Sequence, residues 1–366
     1  MAATVIGALR RFLPAFLRQR PPLDQARRRA IWAITHCRTP AMGWHRYACG
    51  KCGHSEFAYH SCNHRSCPLC GRAATAEWVG RELAKRIGAP YFMVTFTLPS
   101  ELRPLFFGAG AKAAYDLFFA ASAGALREKL ASPKYLGAIH CGFTGILHTW
   151  NQWLLFHPHI HYIVPGAGID AEGRVVIVKN ANFLVWAPLL SKAFRKHFRD
   201  LLEASGLQVD PSVWNIDWGV NIKPFGSGAN AIKYLGAYVC RTAIGDSRIL
   251  AVTDQHVTFQ WKDRANHDAI RNDTIPGSEF VRRYLRHVLP RGMRSIRYFG
   301  FCHPAARKKR ELVAFHTGRP LLLGPFLAKP ATKHTVSCPC CHQPMIRIAS
   351  VPAHRNQTRG PPAICR

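Results

Sequence analysis

Hydrophobic positions recur along this chain with two different periods, and the change between them outlines its elements. Near the start, "ATVIGALRRFLPAFLRQR" repeats apolar side chains at Val5, Leu9, Phe12 and Phe16, the spacing of an amphipathic helix, here with arginine on its other face. "PYFMVTFTLP" predicts a strand closed by Pro99, and residues 111–130 return to helical spacing. Two further strands, "GFTGILHTW" (142–150) and "HPHIHYIV" (157–164), flank a short polar connection, which predicts an antiparallel hairpin. The Gly-rich "FGSGAN" then leads into a helical "AIKYLGAYVCRTAI", with Ser227 or Asn230 as its N-cap. Strand, helix, hairpin and helix in this order predict an α+β fold built on one antiparallel sheet.

The second hairpin strand carries the first candidate chemistry. Side chains two apart on a strand share a face and stand about 6.6 Å apart, so His157, His159 and His161 all point one way. With the hairpin centred near Trp153 and Leu154, His148 lies opposite His159 on the same face. Imidazoles so placed can hold a divalent ion with an open coordination side, able to polarise a phosphate oxygen. His159 and His161 are the expected pair; His157 and His148 compete for a third position, and Gln152 could also reach. The competing reading is a half-buried strand whose rings are satisfied by hydrogen bonds.

Charge brings in the partner. Fifty Lys plus Arg against twenty Asp plus Glu leave +30 on 366 residues, and the usual partner of such a surface is a polyanion. Residues 1–36 hold Arg10, Arg11, Arg18, Arg20, Arg27, Arg28 and Arg29 with Asp24 as their one acid, and no Asp or Glu follows Glu311. Both ends therefore read as nucleic-acid arms, against the plainer reading of solvated basic faces. The first helix could also pass for a transit peptide or a membrane-surface helix, but Arg10 and Arg11 interrupt the apolar run a secretory signal needs. No run of 18 apolar residues exists to span a membrane.

Thirteen cysteines mean disulfides or metal, and spacing favours metal. "CGKC", fourteen residues and "CPLC" set Cys49, Cys52, Cys67 and Cys70 in the pattern of a structural zinc ribbon. Nothing suggests an oxidising compartment, so a reducing cytoplasm is expected. Cys37 and Cys62 are left over and could build a second site with His36, His60 or His64. The later "CPCC" offers Cys338 and Cys341, with Cys340 between them and Cys302, His303 and His342 as further candidates.

In "KYLGAYV", Tyr234 and Tyr238 stand four apart and so about 40° apart on one helix face. Alone, the pair reads as a packing stripe beside Ile232, Leu235 and Val239. Beside a metal-binding strand it can be a pair of nucleophiles. A phenol, with a pKa near 10, is a poor nucleophile at neutral pH, so it needs a polarised phosphate and cations such as Lys233 or Arg241.

Taken in order, "HCRTPAMGWHRYACGKCGH", "YHSCNHRSCPLC", "FTLP", "LHTW", "HPHIH", "YLGAYV" and "EFVRRYLRHVLPRGMRSIRYFG" resemble the two-tyrosine HUH transposases of the insertion-sequence ninety-one family, across residues 25–345. The resemblance implies an HUH endonuclease-like antiparallel sheet flanked by helices, preceded by a small zinc-ribbon domain. It implies that His159 and His161 hold catalytic Mg²⁺ or Mn²⁺, that Tyr234 and Tyr238 are the nucleophiles, and that Cys49, Cys52, Cys67 and Cys70 hold structural Zn²⁺. The implied reaction nicks and rejoins single-stranded DNA at element ends and target through a 5′-phosphotyrosine, in rolling-circle transposition. The expected setting is the bacterial cytoplasm and nucleoid.

The division expected from composition and resemblance is a basic helical segment (1–36), a zinc-binding domain (37–85), an HUH catalytic domain (86–255), a basic DNA-binding region (256–335) and a Cys-rich tail (336–366), whose end "RNQTRGPPAICR" reads as disordered. In the basic region, Arg282, Arg283, Arg286, Arg291, Arg294 and Arg297 are expected to track a DNA backbone, with Tyr284 and Tyr298 available to stack on bases. The rival readings are a rolling-circle replication initiator or relaxase using the same chemistry, and a zinc-ribbon DNA-binding protein without enzymatic activity.

Overall fold

The structure is a computed structural model that describes residues 3–19, 21–70, 72–239, 243–263, 266–319 and 335–352. In chain order it contains α1 (Val5–Arg18), α2 (Gln25–His36), β1 (Trp44–Cys49), β2 (Ser55–Tyr59), α3 (Arg72–Ala84), β3 (Tyr91–Thr97), α4 (Ala111–Ala131), β4 (His140–Trp150) and β5 (Phe156–Pro165). There follow β6 (Ala167–Ile169), β7 (Val175–Ile177), α5 (Ala187–Ala204), β8 (Gly219–Pro224), α6 (Ala229–Val239), β9 (Ile249–Val252), β10 (His256–Asp263) and β11 (Ala269–Pro276). The last elements are α7 (Gly277–Arg286), β12 (Ile296–Gly300), α8 (Arg307–His316) and β13 (Met345–Val351). The expected tail 355–366 and Arg241 lie outside the described residues.

The central sheet has strand order β7-β6-β4-β5-β3-β8, with β12 added to β4. All its neighbours are antiparallel. Alternation gives it two apolar faces. Phe92, Val94, Phe96, Phe143, Ile160, Tyr162 and Val164 pack against Phe118 and Leu126 of α4 and Phe194 and Phe198 of α5. Removing such rings from water stabilises the fold by about 1.5–3 kcal/mol each. On the opposite face, Met93, Ile146 and Ile163 meet Trp78 of α3, Ile232 and Leu235 of α6, and Val313 of α8. The strand periodicity therefore puts His148, His159, His161 and Thr95 on the α3–α6 face.

The chain ends do not stand apart as the composition suggests. Val5, Leu9, Phe12 and Phe16 of α1 are buried with Ile31 and Ile34 of α2, Val257 and Phe259 of β10, and Phe280, Val281, Tyr284 and Leu285 of α7. The helix that resembled a transit peptide thus has its apolar face in a core. Helices α1, α2 and α7 and strands β9–β11 form one packed unit, which the sequence had divided at 36 and 255. Likewise β13 pairs along β1, opposite β2, in a three-stranded sheet. Part of the segment expected to be a tail, Met345–Val351, is therefore a strand beside β1.

Candidate metal centres and active site

The histidine hairpin forms as the sequence predicts. His148 pairs directly with His159 across β4 and β5, and Ile146 with His161. The five-residue connection is closed by Asn151, whose carboxamide oxygen accepts from the backbone N–H of Trp153 at 3.0 Å and of Leu155 at 2.9 Å. Pro158 is tolerated inside β5 because the register shifts between His148 and Trp150, so its missing N–H falls at an irregularity in the ladder.

His148, His159 and His161 bring three ring nitrogens within 4.8 Å of one another. His148 is 4% exposed, and burial, together with His161 and His159, holds its pKa well below the usual histidine value. It therefore presents a neutral ring, the form that binds a metal. The flanking bonds fix the other two rings. His159 Nδ1 donates to its neighbour His157's carbonyl at 2.7 Å, and His161 Nδ1 lies 2.8 Å from Thr95 Oγ1, which it faces across β3 and β5. Both contacts engage Nδ1, as the outer hydrogen bonds that orient metal-binding imidazoles do. The donor set, three imidazoles on adjacent strands with no carboxylate among them, fits a divalent ion with open positions. His157, the third of the alternating run, is not in the triad: its Nδ1 accepts from Arg103 at 3.3 Å. His148 takes the third place because the hairpin pairing sets it beside both His159 and His161.

Three backbone carbonyls of the hairpin loop are held from outside the sheet. Arg248 Nη2 donates to Gln152 O at 2.5 Å, Arg283 Nη1 to Trp153 O at 2.9 Å and His287 Nε2 to Leu154 O at 3.0 Å. Trp153 packs on Trp261, centroids 4.3 Å apart. The unit built from α1, α7 and β9–β11 thus clamps the tip of the histidine hairpin.

The arginine stretch makes contacts within the protein as well. Arg282 and Arg283 both bond Glu279 on their own helix, and Arg286 lies 5.7 Å over Phe107. Arg297 pairs with Asp116 and covers Phe119 at 4.2 Å. Arg291 and Arg294 are exposed. Tyr284 is 2% exposed, with its hydroxyl on Ser66 O at 2.6 Å, and Tyr298 Oη accepts from Trp78 Nε1 at 2.9 Å. The base-stacking role expected of Tyr284 fails because its ring is buried, while the half-buried Tyr298 ring is covered by Lys85 at 5.4 Å.

Tyr234 is exposed on α6 and Tyr238 lies one turn further along the same helix. Lys233 is exposed beside Tyr234. The helix begins after Gly228, whose carbonyl accepts from Ile232 N at 3.0 Å. Neither Ser227 nor Asn230 stands at the cap position; Ser227 Oγ instead accepts from Arg86. Gly228 has φ +76°, and a Cβ there would meet the Tyr91 ring at 2.4 Å. Further on, Gly236 lets α6 lie directly on α3, since a Cβ would sit 2.1 Å from Val79 Cγ2.

The cysteines do not assemble as the ribbon pattern predicts. Cys49 and Cys52 join Cys338 and Cys341; Cys67 and Cys70 join Cys37 and Cys62. In each group the four sulfurs lie within 4.8 Å of one another. The turn after β1 faces β13, while Cys67 and Cys70 turn toward the end of α2, so the four residues of the expected site are split between two. Hydrogen bonds from Cys62, Cys67 and Cys70 hold the Cys37 thiol far below the usual range, and the backbone N–H groups of Cys52 and Lys51 bring Cys49 down to about 6. Four cysteines converging with a ready thiolate fit tetrahedral zinc in both places. Cys340, exposed beside Cys338, and His36, His60 and His64 belong to neither group.

Together, a three-histidine hairpin on an antiparallel sheet and two four-cysteine groups define a protein with three candidate metal centres among its described residues. Comparison with known proteins agrees. A family model described as "Transposase zinc-binding domain" matches residues 8–98, and one described as "Putative transposase" matches residues 142–310. The chain is 34% identical over 371 residues to the putative transposase y4qJ of Sinorhizobium fredii, covering 93% of each. It is 28% identical over 300 residues to the transposase for insertion sequence element IS801 of Pseudomonas savastanoi pv. phaseolicola, covering 72% of this chain and 67% of that one. No solved structure matches the chain. The protein belongs to the insertion-sequence ninety-one family of transposases, with an N-terminal zinc-binding domain. Among the described residues no helix is long and apolar enough to cross a membrane.

Proposed function

We propose that this transposase cuts and rejoins single-stranded DNA through a tyrosine–DNA ester. The observation that carries this reading is the triad of His148, His159 and His161 on the sheet face that also receives α6 through Ile232 and Leu235. Strand β8 runs antiparallel to β3 and the chain reverses at residues 225–228, so α6 returns along β3 in the direction of Thr95 and His161. This brings the helix bearing Tyr234 and Tyr238 toward the triad.

Mg²⁺ or Mn²⁺ held by the three histidines would act as a Lewis acid on a non-bridging phosphate oxygen. The phenolic oxygen of one tyrosine attacks phosphorus, the bond from phosphorus to the 3′-oxygen breaks, and that oxygen leaves with a proton as a 3′-hydroxyl. The 5′-phosphate remains esterified to tyrosine. A later 3′-hydroxyl attack reverses the exchange, so the bond energy is kept and no nucleotide cofactor is needed. Lys233, exposed next to Tyr234, is suited to a neighbouring phosphate, and Arg241 follows on the same segment. Two tyrosines allow two strands to be handled in succession, in the rolling-circle manner, within a bacterial cytoplasm where the chromosome lies.

The experiment is a 3′-labelled, randomised single-stranded library incubated with the protein, with and without Mn²⁺, and run on a denaturing gel. Label transferred to the protein only with Mn²⁺, and lost in Tyr234→Phe/Tyr238→Phe and in His159→Ala/His161→Ala, is the expected result. Transfer that survives both double variants would refute the assignment.

A further inference from the structure

The zinc-binding sheet β2-β1-β13 keeps one face in water although that face is apolar. Trp44 pairs with Tyr59 and Arg46 with Phe57 across β1 and β2, so alternation sets all four side chains on one side. Phe57 is 47% and Tyr59 39% exposed, and across β1 the neighbouring strand adds Val351 at 43% and Ile346 at 67%. The rings are already ordered: Trp44 meets Phe57 edge-on with centroids 4.9 Å apart, and Phe57 and Tyr59 lie parallel within 11° at 6.4 Å. The Arg46 guanidinium lies 5.7 Å over Phe57. The opposite face is the inward one, holding Cys49 and Met345, both buried.

Exposed parallel rings on a sheet want a planar, apolar partner; the charge around them selects an anionic one. Between Cys37 and Cys70 and from Thr335 to Pro352 the chain carries Arg38, Arg46, Lys51, Arg65 and Arg347, with Glu56 as its one acid. Arg65 is turned inward onto Met293 O and Ser295 Oγ, but Arg38, Arg46, Lys51 and Arg347 are exposed. Glu56 alternates to the other face, beside His54. Unpaired nucleobases on a phosphate backbone combine both properties, whereas bases in a duplex are already stacked.

We propose that Trp44, Phe57 and Tyr59, with Arg46, form a stacking platform for unpaired bases of single-stranded DNA, separate from the histidine triad. It rests on the reading that this chain acts on DNA and adds a holding surface for the strand. The two cysteine groups make the platform rigid by fixing the β1 turn to β13 and the end of α2 to the segment after β2, so the rings need no ordering when the strand arrives.

The test uses full-length, zinc-loaded protein and a fluorescent thymidine 15-mer, read by anisotropy, with an abasic 15-mer and a blunt duplex alongside. Phe57→Leu and Tyr59→Leu keep apolar surface strand residues, and unchanged zinc content checks the fold. Each should weaken thymidine binding roughly tenfold, the scale of one base–aromatic contact, and leave the weaker abasic and duplex binding unaltered. Phe57→Trp should restore affinity. Unchanged thymidine affinity in the combined Phe57→Leu/Tyr59→Leu variant overturns the proposal. So does an equal loss on the abasic strand, which would make the effect one of phosphate charge. A sedimentation shift from dimer to monomer in place of lost DNA binding would also overturn it, since the face would then be an interface between copies. Ring-dependent binding without any covalent adduct would leave the platform standing and refute the tyrosine chemistry instead.

Discussion

Cys49 and Cys341 stand 292 positions apart in the chain, and their sulfurs are 3.4 Å apart. Cys52 and Cys338 make the matching contact at 3.5 Å. A metal site assembled from the two sequence extremes cross-links them far more effectively than two sites each made from local turns.

Cys338→Ser should therefore lower bound zinc from two ions to one per chain and free β13 from β1, while the Cys37 group keeps its ion. Zinc release measured with a chromogenic chelator, together with limited proteolysis between residues 320 and 345, reads both effects. Retention of two ions would show that the grouping is wrong.

Thr95 is the neighbour that sets the His161 ring. Thr95→Val keeps its shape and removes the hydroxyl, so Mn²⁺ affinity should fall by about 10- to 100-fold, the usual cost of losing such a partner. A Mn²⁺ titration followed by electron paramagnetic resonance measures it. An unchanged affinity would mean that His161 is oriented by its backbone alone.

At Gly236 the two helices touch. Gly236→Ala brings a methyl group into Val79, so α6 must shift or the core must strain, at about 1–3 kcal/mol. Urea unfolding should show that loss, and Val79→Ala combined with it should recover part. If adduct formation drops more than stability accounts for, the position of α6 on α3 matters to the chemistry as well as to the fold.

Half-buried His287 bonds Leu154 O and Thr149 Oγ1, and desolvation brings its pKa down to about 4. Below pH 6.5 the unfolded chain accepts a proton that the folded chain refuses, so stability falls as pH drops from 6.5 toward 4. The difference reaches about 2–3 kcal/mol at pH 4.5. His287→Gln, which can still donate to Leu154 O, should flatten that part of the curve. Parallel pH profiles for the two proteins would rule out a neutral His287.

Local patterns carried the hairpin. Two-residue alternation fixed the faces of β4 and β5, and a short connection left little freedom in register, so His148 opposite His159 followed from the sequence. Helix α1 was equally plain from Val5, Leu9, Phe12 and Phe16. What it packs against was not, because its partners Phe280 and Tyr284 are separated from it by most of the chain. The cysteines show the same boundary. Three C-x-x-C pairs with Cys37 and Cys62 make eight sulfurs, the number two tetrahedral sites need, so the stoichiometry was present in the sequence. Nearness suggested joining Cys49 and Cys52 to Cys67 and Cys70; the pairing of β1 with β13 decided otherwise. The arginines of α7 show it too: Glu279 stands one turn away on the same helix, but the contact of Arg283 with the carbonyl of Trp153 is a tertiary one that no spacing reveals.

The packing of α1 against α7 also bears on the order in which this protein is made. Synthesis begins at the N-terminus, so Phe12 and Phe16 emerge long before Phe280 and Tyr284, the surfaces that cover them. Until α7 is made, the first helix presents its apolar stripe to whatever is nearby, a natural site for a chaperone. Arg283 and His287 arrive at the same late stage, and with them the hold on the histidine loop. A ribosome-bound or prematurely terminated chain would carry the histidine strand without its clamp, which ties the assembly of the histidine triad to a chain that has been made through α7.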